Sequence, residues 1–83
     1  MNRKKFRRVF GFYMRQAREN RDLSVDHLAH EANVDRRTIQ RIESGETSPK
    51  HETVFNLAYA LQIDINEIHH QIIKDSKHSP PLE

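Results

Sequence analysis

The chain has 83 residues, of which 35% are hydrophobic and 31% charged, and it contains no cysteine. The length predicts one small domain and the composition a globular chain, while the lack of cysteine excludes disulfides, thiolate catalysis and cysteine-bound zinc. No stretch approaches the roughly 20 apolar residues of a membrane span, and no apolar secretion signal occurs, so we expect a cytoplasmic protein without a membrane partner.

Positive charge is concentrated at the beginning of the chain. Residues 1–21 carry eight Lys or Arg and one Glu, whereas residues 22–83 carry six basic and eleven acidic side chains, which leaves a net charge of +2. Such a basic segment favours a polyanionic partner, nucleic acid before a membrane surface. A solvated, frayed N-terminus explains the composition equally well, so charge alone leaves both interpretations open.

The first two helices are indicated by apolar spacing and by capping residues. Apolar side chains recur every three or four positions from residue 6 to residue 17, which predicts an amphipathic helix that ends near Asn20. Ser24 is a favourable N-cap for a second helix over residues 24–31. Asn33 follows it and suits a left-handed helix exit.

A third helix is predicted over residues 35–44. Asp35 is its N-cap and Gly45 its stop signal. The 3.6-residue periodicity turns Ile39 and Ile42 inward and leaves a polar face outside. Three arginines and one glutamine occupy that outer face.

Two further helices complete the predicted fold. Apolar residues between positions 54 and 61 mark the fourth helix. Asp64 caps the fifth, whose expected inward residues are Ile65, Ile68 and Ile72. No alternating strand pattern occurs, so the fold class expected is all-α.

The domain organisation follows from these elements. We expect a basic N-terminal arm at residues 1–5, a five-helix domain at residues 6–75 and a disordered tail at residues 76–83, in which residues 82–83 resemble a cloning remnant. The second and third helices, with a short turn between them, have the lengths of a helix-turn-helix. Helical hairpins occur in many bundles, so this geometry alone is a weak signal.

The residue types at these positions make the signal specific. The string I-x-x-I-E-x-G-x-x-x-P spans residues 39–49, and a helix ending in A-L-x-I follows at residues 60–63. Further matching pieces lie between Gly11 and Ile68. The chain resembles the Cro/repressor-type helix-turn-helix family, also called the XRE family, of bacterial and phage regulators. The resemblance implies a compact lambda-repressor-like DNA-binding domain.

The resemblance also implies how duplex DNA is bound. In this family the second helix crosses the DNA backbone and the third lies in the major groove. The expected base-reading residues are those of the outer face: Asp35, Arg36, Arg37, Gln40 and Arg41. Arg bonds guanine through O6 and N7 and Gln bonds adenine, so a guanine-containing half-site is expected. Asp35 can accept a hydrogen bond from cytosine, although its capping function is the favoured interpretation.

Phosphate contacts are expected from two parts of the helix-turn-helix. The second helix begins at Ser24 and Val25, where free backbone N–H groups and the helix dipole favour an anion. Many relatives have Gln where this chain has Val25, so only the backbone is expected to act there. The other expected contacts are Thr38, Ser44, the N–H of Glu46, Thr47, Ser48 and Lys50, with His51 as an alternative to Lys50. The charge of Glu46 opposes phosphate binding.

Two structural interactions are also expected. Relatives pair the positions of Arg18 and Glu43 in a partly buried ion pair that joins the first helix to the end of the third. The final helix carries more isoleucine than a core of this size needs, which suggests a homodimer interface. Its expected members are Ile65, Ile68, Ile72 and Ile73. The alternative is that the last two pack back onto the first helix.

Other chemistries have little support in the sequence. His27 and His30, and His69 and His70, lack a convincing third ligand, so neither a metal nor another cofactor is expected. No nucleophile–base–orienter set and no phosphate-binding glycine loop occurs, and no enzyme is expected. The leading hypothesis is a homodimeric transcriptional regulator, for example a repressor. The alternative uses the same fold to bind a protein partner, such as a toxin enzyme or a polymerase.

Overall fold

The computed structural model describes the backbone of residues 2–78 and the side chains of residues 2–74. Within that part of the chain the structure has five helices and no strand, which confirms the all-α prediction. The helices are α1 (Arg3–Asn20), α2 (Val25–Ala32), α3 (Arg36–Glu43), α4 (His51–Leu61) and α5 (Ile65–His78). Most of the expected tail, residues 79–83, lies outside the described residues.

Three of the helices begin at the polar side chains that the sequence indicates. Ser24 accepts a hydrogen bond at 3.0 Å from the backbone N–H three residues later. Asp35 and Asp64 each accept one from the N–H two residues later, at 3.1 and 2.8 Å. Each bond satisfies a donor in the first turn that has no partner within the helix, so these caps determine where α2, α3 and α5 begin.

The first and last helices of the chain, α1 and α5, are longer than expected. The Asn2 side chain accepts a hydrogen bond from the N–H of Lys5 at 2.7 Å, and this cap starts α1 at Arg3. Residues 3–5 are therefore helical and do not form a separate arm. At the other end, α5 continues through His78, beyond the point where the tail was expected to begin.

A single apolar core holds the five helices together. Its buried side chains repeat at helical spacing in each helix, and no polar or charged residue is buried in the described part of the chain. The core residues are Val9, Phe10, Met14, Leu28, Ala32, Ile39, Ile42, Leu57, Ala58, Ala60, Leu61, Ile68 and Ile72. Removal of this apolar surface from water supplies the main driving force for folding.

Gly11 allows α1 to cross α3 at close range. A Cβ atom at this position would collide with the carbonyl oxygen of Ile42 and would lie 3.0 Å from that of Glu43. Both obstacles are backbone atoms, which cannot move aside as a flexible side chain can. The glycine therefore lets α1 support the end of α3 directly, and α3 is fixed against the body of the domain.

The apolar face of α5 differs from the expected one. Ile68 and Ile72 are buried at 4% and 8% exposure, whereas Ile65 and Ile73 are 38% and 39% exposed. Ile65 was expected inside, but it is the first residue of α5 and lies a turn before the buried face. Ile68 and Ile72, both expected at a dimer interface, are buried within the chain and leave little surface for a second copy.

Candidate nucleic-acid interface

The turn between α2 and α3 places the two helices in a fixed relation. Asn33 has a φ of 54°, a left-handed conformation that Asn tolerates better than most residues. It ends α2 and lets the N–H of Val34 donate to the Ala29 carbonyl at 3.0 Å. Leu28 and Ile39 are buried between the helices, so the turn and the core together orient the outer face of α3.

The outer face of α3 carries the expected basic side chains. Arg36, Arg37, Gln40 and Arg41 are exposed, whereas Ile39 and Ile42 on the opposite side are each 1% exposed. The isoleucines anchor the helix and leave an outward stripe of arginine and glutamine. Such a stripe can donate hydrogen bonds to base edges or to phosphate oxygens.

The three arginines of this stripe differ in their partners. Asp26, in the first turn of α2, approaches Arg36 with 3.1 Å between Oδ1 and Nε. Beyond the other end of α3, Glu46 approaches Arg41 with 3.8 Å between Oε1 and Nε. Among the described residues the guanidinium of Arg37 has no hydrogen-bond or ion-pair partner. The guanidinium of Arg37 can therefore bind a base or a phosphate without first breaking an ion pair within the protein, unlike those of Arg36 and Arg41.

Asp35 lies at the beginning of the same face. It is exposed, and its Oδ2 atom accepts the hydrogen bond from the N–H of Arg37 that caps α3. Its carboxylate thus serves the helix in the free protein. The hypothesis that it also accepts a hydrogen bond from cytosine stays a prediction.

The beginning of α2 offers backbone donors to an anion. The Ser24 oxygen accepts the capping bond from the N–H of His27, which leaves the Ser24 O–H and the N–H of Val25 as donors to an anion. The Val25 side chain is half-buried against the core and contributes no polar group. The Asp26 carboxylate lies in the same turn and opposes the approach of a second anion.

A polar groove lies between α3 and the loop that leads to α4. Its volume is about 250 Å³. Four of the expected phosphate contacts line it. The lining residues are Thr38, Arg41, Ile42, Thr47, Ser48, Pro49, Lys50 and Thr53.

Thr53 was not expected from the sequence. It lies in the first turn of α4 and carries a hydroxyl group into the set that lines the groove. Threonine near the start of a helix is common and gives no signal by itself. Its importance depends on the packing of α4 beside α3, which no local pattern reveals.

The end of α3 changes one expectation about phosphate binding. Gly45 has a φ of 80°, and the N–H of Glu46 donates to the Arg41 carbonyl at 2.9 Å. This bond belongs to the left-handed motif that closes the helix, so the Glu46 N–H expected to bind phosphate is already used. The Ser44 hydroxyl is engaged as well, because it donates to the Arg41 carbonyl at 3.1 Å or to Glu46 Oε2 at 2.8 Å.

Arg18 and Glu43 join α1 to the end of α3. Arg18 donates from Nε to one carboxylate oxygen of Glu43 at 2.8 Å and from Nη2 to the other at 3.1 Å. Nη1 donates to the Leu23 carbonyl at 2.7 Å. The hydrogen bonds to Glu43 raise the pKa of Arg18 above its ordinary value, against the lowering effect of burial. This pair supports α3 from behind and does not belong to the exposed face.

The remaining candidates form no second site. Among the residues that the structure describes, no three His, Cys, Asp or Glu side chains lie close enough to bind one metal ion. No described helix has the length and apolar character that a membrane crossing requires. His27 is an exposed neighbour of Glu31, at 3.6 Å.

Comparisons with known proteins agree with this architecture. The helix-turn-helix family profile matches residues 14–68, more than half of the chain. A mutant of the restriction-modification controller protein C.Esp1396I has a similar structure, with a TM-score of 0.83 and 17% identity over 90% of this chain and 95% of that one. The clp gene regulator ClgR from Corynebacterium glutamicum is similar as well, with a TM-score of 0.81 and 17% sequence identity over 87% of this chain and 77% of that one.

A second structure of ClgR from C. glutamicum gives a TM-score of 0.77 at 17% identity, over 83% of this chain and 88% of that one. At this level of identity the structural similarity shows the fold. No curated protein sequence matches the chain. With the profile match, the chain belongs to the XRE-type helix-turn-helix family of DNA-binding transcription regulators.

Proposed function

We propose that this protein is a sequence-specific transcriptional regulator that inserts α3 into the major groove of duplex DNA. The observation that carries the proposal is the exposed stripe of Arg36, Arg37, Gln40 and Arg41 above the buried Ile39 and Ile42. Arginine pairs with guanine through two hydrogen bonds, and glutamine does the same with adenine. The proposed half-site therefore contains guanine.

Phosphate contacts on both sides of α3 would fix its position in the groove. We assign one contact to the backbone at the start of α2, at Ser24 and Val25, and the other to the polar groove beside α3. In that groove the donors are Thr38, Ser48, Lys50 and Thr53, together with Thr47 once its hydroxyl leaves the 3.4 Å bond that it donates to the Ser48 carbonyl. Contacts of this kind position the protein on DNA but carry no sequence information themselves.

The proposal includes a homodimer on a two-fold operator. Two copies would read half-sites about one helical turn of DNA apart. Because Ile68 and Ile72 are buried, the interface is assigned to the exposed edge of α5, at Ile65 and Ile73. Since its target is DNA, we place the protein in the cytoplasm of a bacterium, as a host or phage product that acts by binding and not by catalysis.

A second candidate function is a protein-interaction module on the same fold. Phe55 and Tyr59 lie one turn apart on α4 and are 58% and 85% exposed, an apolar surface that the DNA-binding role does not use. A toxin enzyme or a polymerase subunit that binds there would make the protein an antitoxin or a docking factor. Stable co-purification with such a protein, without selective DNA binding, would favour this function.

Selection of bound sequences from random duplex DNA tests the leading proposal. Wild-type protein should enrich a guanine-containing half-site. Arg37→Ala should relax the preference at one base position and weaken binding to the selected site by about 1–3 kcal/mol, because one two-pronged base contact is lost. A chain that enriches no sequence would overturn the proposal.

Lys50→Ala is the matched control, since it removes one positive charge from the phosphate groove. Its affinity should fall almost equally for all duplexes, and the slope of log K against log salt should decrease by about 1. If Arg37→Ala behaves in the same way, Arg37 contacts phosphate and the base-reading assignment is wrong.

A further inference from the structure

Two arginines of the outer face of α3 are each paired with a carboxylate from outside that helix. Asp26 lies 3.1 Å from Nε of Arg36, and Glu46 lies 3.8 Å from Nε of Arg41. All four side chains are at least half exposed. Water screens such pairs and they contribute little to folding, so stability is a weak explanation for their presence.

The positions of the two carboxylates are unfavourable for phosphate binding. Asp26 is in the first turn of α2, beside the backbone donors assigned to one phosphate, and Glu46 follows α3 and approaches Arg41, which lines the polar groove. A negative charge near the end of a helix also opposes the helix dipole, so Glu46 gains nothing from α3 in that respect. Asp26 does stabilise the start of α2 through the helix dipole. An effect of Asp26 on DNA binding must therefore be measured in a way that a change in folding stability does not alter.

We propose that Asp26 and Glu46 are specificity-determining residues that act as internal counterions of Arg36 and Arg41. This inference rests on the proposed function. On DNA of arbitrary sequence, each arginine can only exchange a carboxylate for a phosphate, and the displaced carboxylate then repels the backbone. Non-specific association, which depends on phosphate neutralisation, is thereby weakened.

The selected site changes this balance. Guanine offers two neutral acceptors to the terminal amino groups of an arginine, and the carboxylates are nearest to Nε in both pairs. Arg36 can thus bond guanine while Asp26 stays beside Nε, and Glu46, at 3.8 Å from Nε of Arg41, acts there through its charge and not through a hydrogen bond. The carboxylate costs little in the specific complex, and it limits the freedom of the side chain before binding.

Binding to two duplexes tests the proposal. Fluorescence anisotropy would measure the Kd of the selected duplex and of a scrambled duplex of equal composition, across a salt series, for wild type, Asp26→Asn and Glu46→Gln. Each variant should bind the scrambled duplex about 5- to 10-fold more tightly at 0.1 M salt, the gain expected from about one additional phosphate contact. The selected duplex should gain less, so the ratio of the two Kd values should fall at least severalfold.

Glu19→Gln is the matched control, because Glu19 forms an exposed ion pair with Arg15 on α1. It removes the same charge and should leave the ratio near the wild-type value. Asp26→Glu keeps the charge and should retain the wild-type ratio, whereas Asp26→Asn should lower it; a merely structural role of Asp26 predicts the wild-type ratio for both variants.

The outcomes separate the two proposals. If wild type does not discriminate between the duplexes, the proposed function fails, and this inference fails with it. If wild type discriminates but both neutral variants keep its ratio, or tighten on both duplexes equally, only the counterion proposal is overturned.

Discussion

Arg18 and Glu43 show how a charged pair can be structural within a DNA-binding domain. Their side chains are only 12% and 9% exposed, and the hydrogen bonds between them are two-pronged. The pKa of Arg18 is raised in the folded chain, so the stability that its charge contributes is complete at neutral pH and is lost only as the pH rises through that raised value. The pair therefore supports α3 throughout the physiological range.

Substitution of Glu43 by Ala should lower stability far more than it lowers base preference. The free energy of unfolding should fall by about 3–5 kcal/mol, because the Arg18 guanidinium is left nearly buried without its partner. Thermal and urea melts measure this loss. The double variant Arg18→Met, Glu43→Leu should recover much of it, since an apolar pair needs no counterion. A melting temperature of Glu43→Ala equal to that of wild type would contradict the structural role.

Residues of the site differ in how far the sequence predicts them. The outward placement of Arg37 and Gln40 follows from helical periodicity alone, because the two isoleucines of α3 must face the core. Asp26 lies ten positions before its partner Arg36, and only the α2–α3 turn brings the two charges together. Thr53 joins the groove for a similar reason. Contacts across elements depend on packing that no local pattern encodes.

At the level of elements, four helices end in the same left-handed motif. The residues with positive φ are Asp22, Asn33, Gly45 and Gln62. At each, the next N–H donates to a carbonyl five positions earlier in the chain, with distances of 2.9–3.2 Å. Gly45 and Asn33 are typical of this position and were predicted, whereas Asp22 and Gln62 were not, because their residue types give no clear signal.

Asp22 should be a site where stability can be raised. Its φ of 56° is unfavourable for a residue with a Cβ, and its charge lies at the negative end of α1. Asp22→Gly should increase the free energy of unfolding by roughly 0.5–1 kcal/mol, in the range of other helix-cap changes. Asp22→Asn removes the charge alone and should give a smaller gain in the same urea melts. Equal values for the two variants would assign the whole effect to charge.

Helix identity was more predictable than helix extent. The apolar spacing and caps indicated all five helices, and the predicted inward face of α3, at Ile39 and Ile42, agrees with the structure. The start of α1 depended on Asn2, an N-cap that precedes a run of basic residues without apolar periodicity. On α5 the spacing could not separate core from surface, because isoleucines occur on both sides of the helix.

For the whole molecule, the main question is how one small domain would reach useful affinity for an operator. One copy presents a single α3, and the phosphate contacts proposed for the start of α2 are opposed by the charge of Asp26. A two-fold dimer would double both sets of contacts on one duplex. The described surface offers apolar residues for such an interface on α5, Ile65 and Ile73, as well as on α4, Phe55 and Tyr59.

Light scattering of the wild-type protein across a concentration series should give the mass of two chains. The double variant Ile65→Asp, Ile73→Asp should give the mass of one chain. A carboxylate cannot be buried unpaired at an apolar interface, whereas in a single chain both positions are open to water in part, at 38% and 39% exposure. Affinity for a two-half-site operator should fall with the dimer, while affinity for an isolated half-site should stay near that of wild type. Phe55→Asp with Tyr59→Asp is the contrasting variant: if it alone dissociates the dimer, the interface is on α4. A wild-type chain that remains monomeric at tens of micromolar would exclude the dimer and leave α3 to act in single copies.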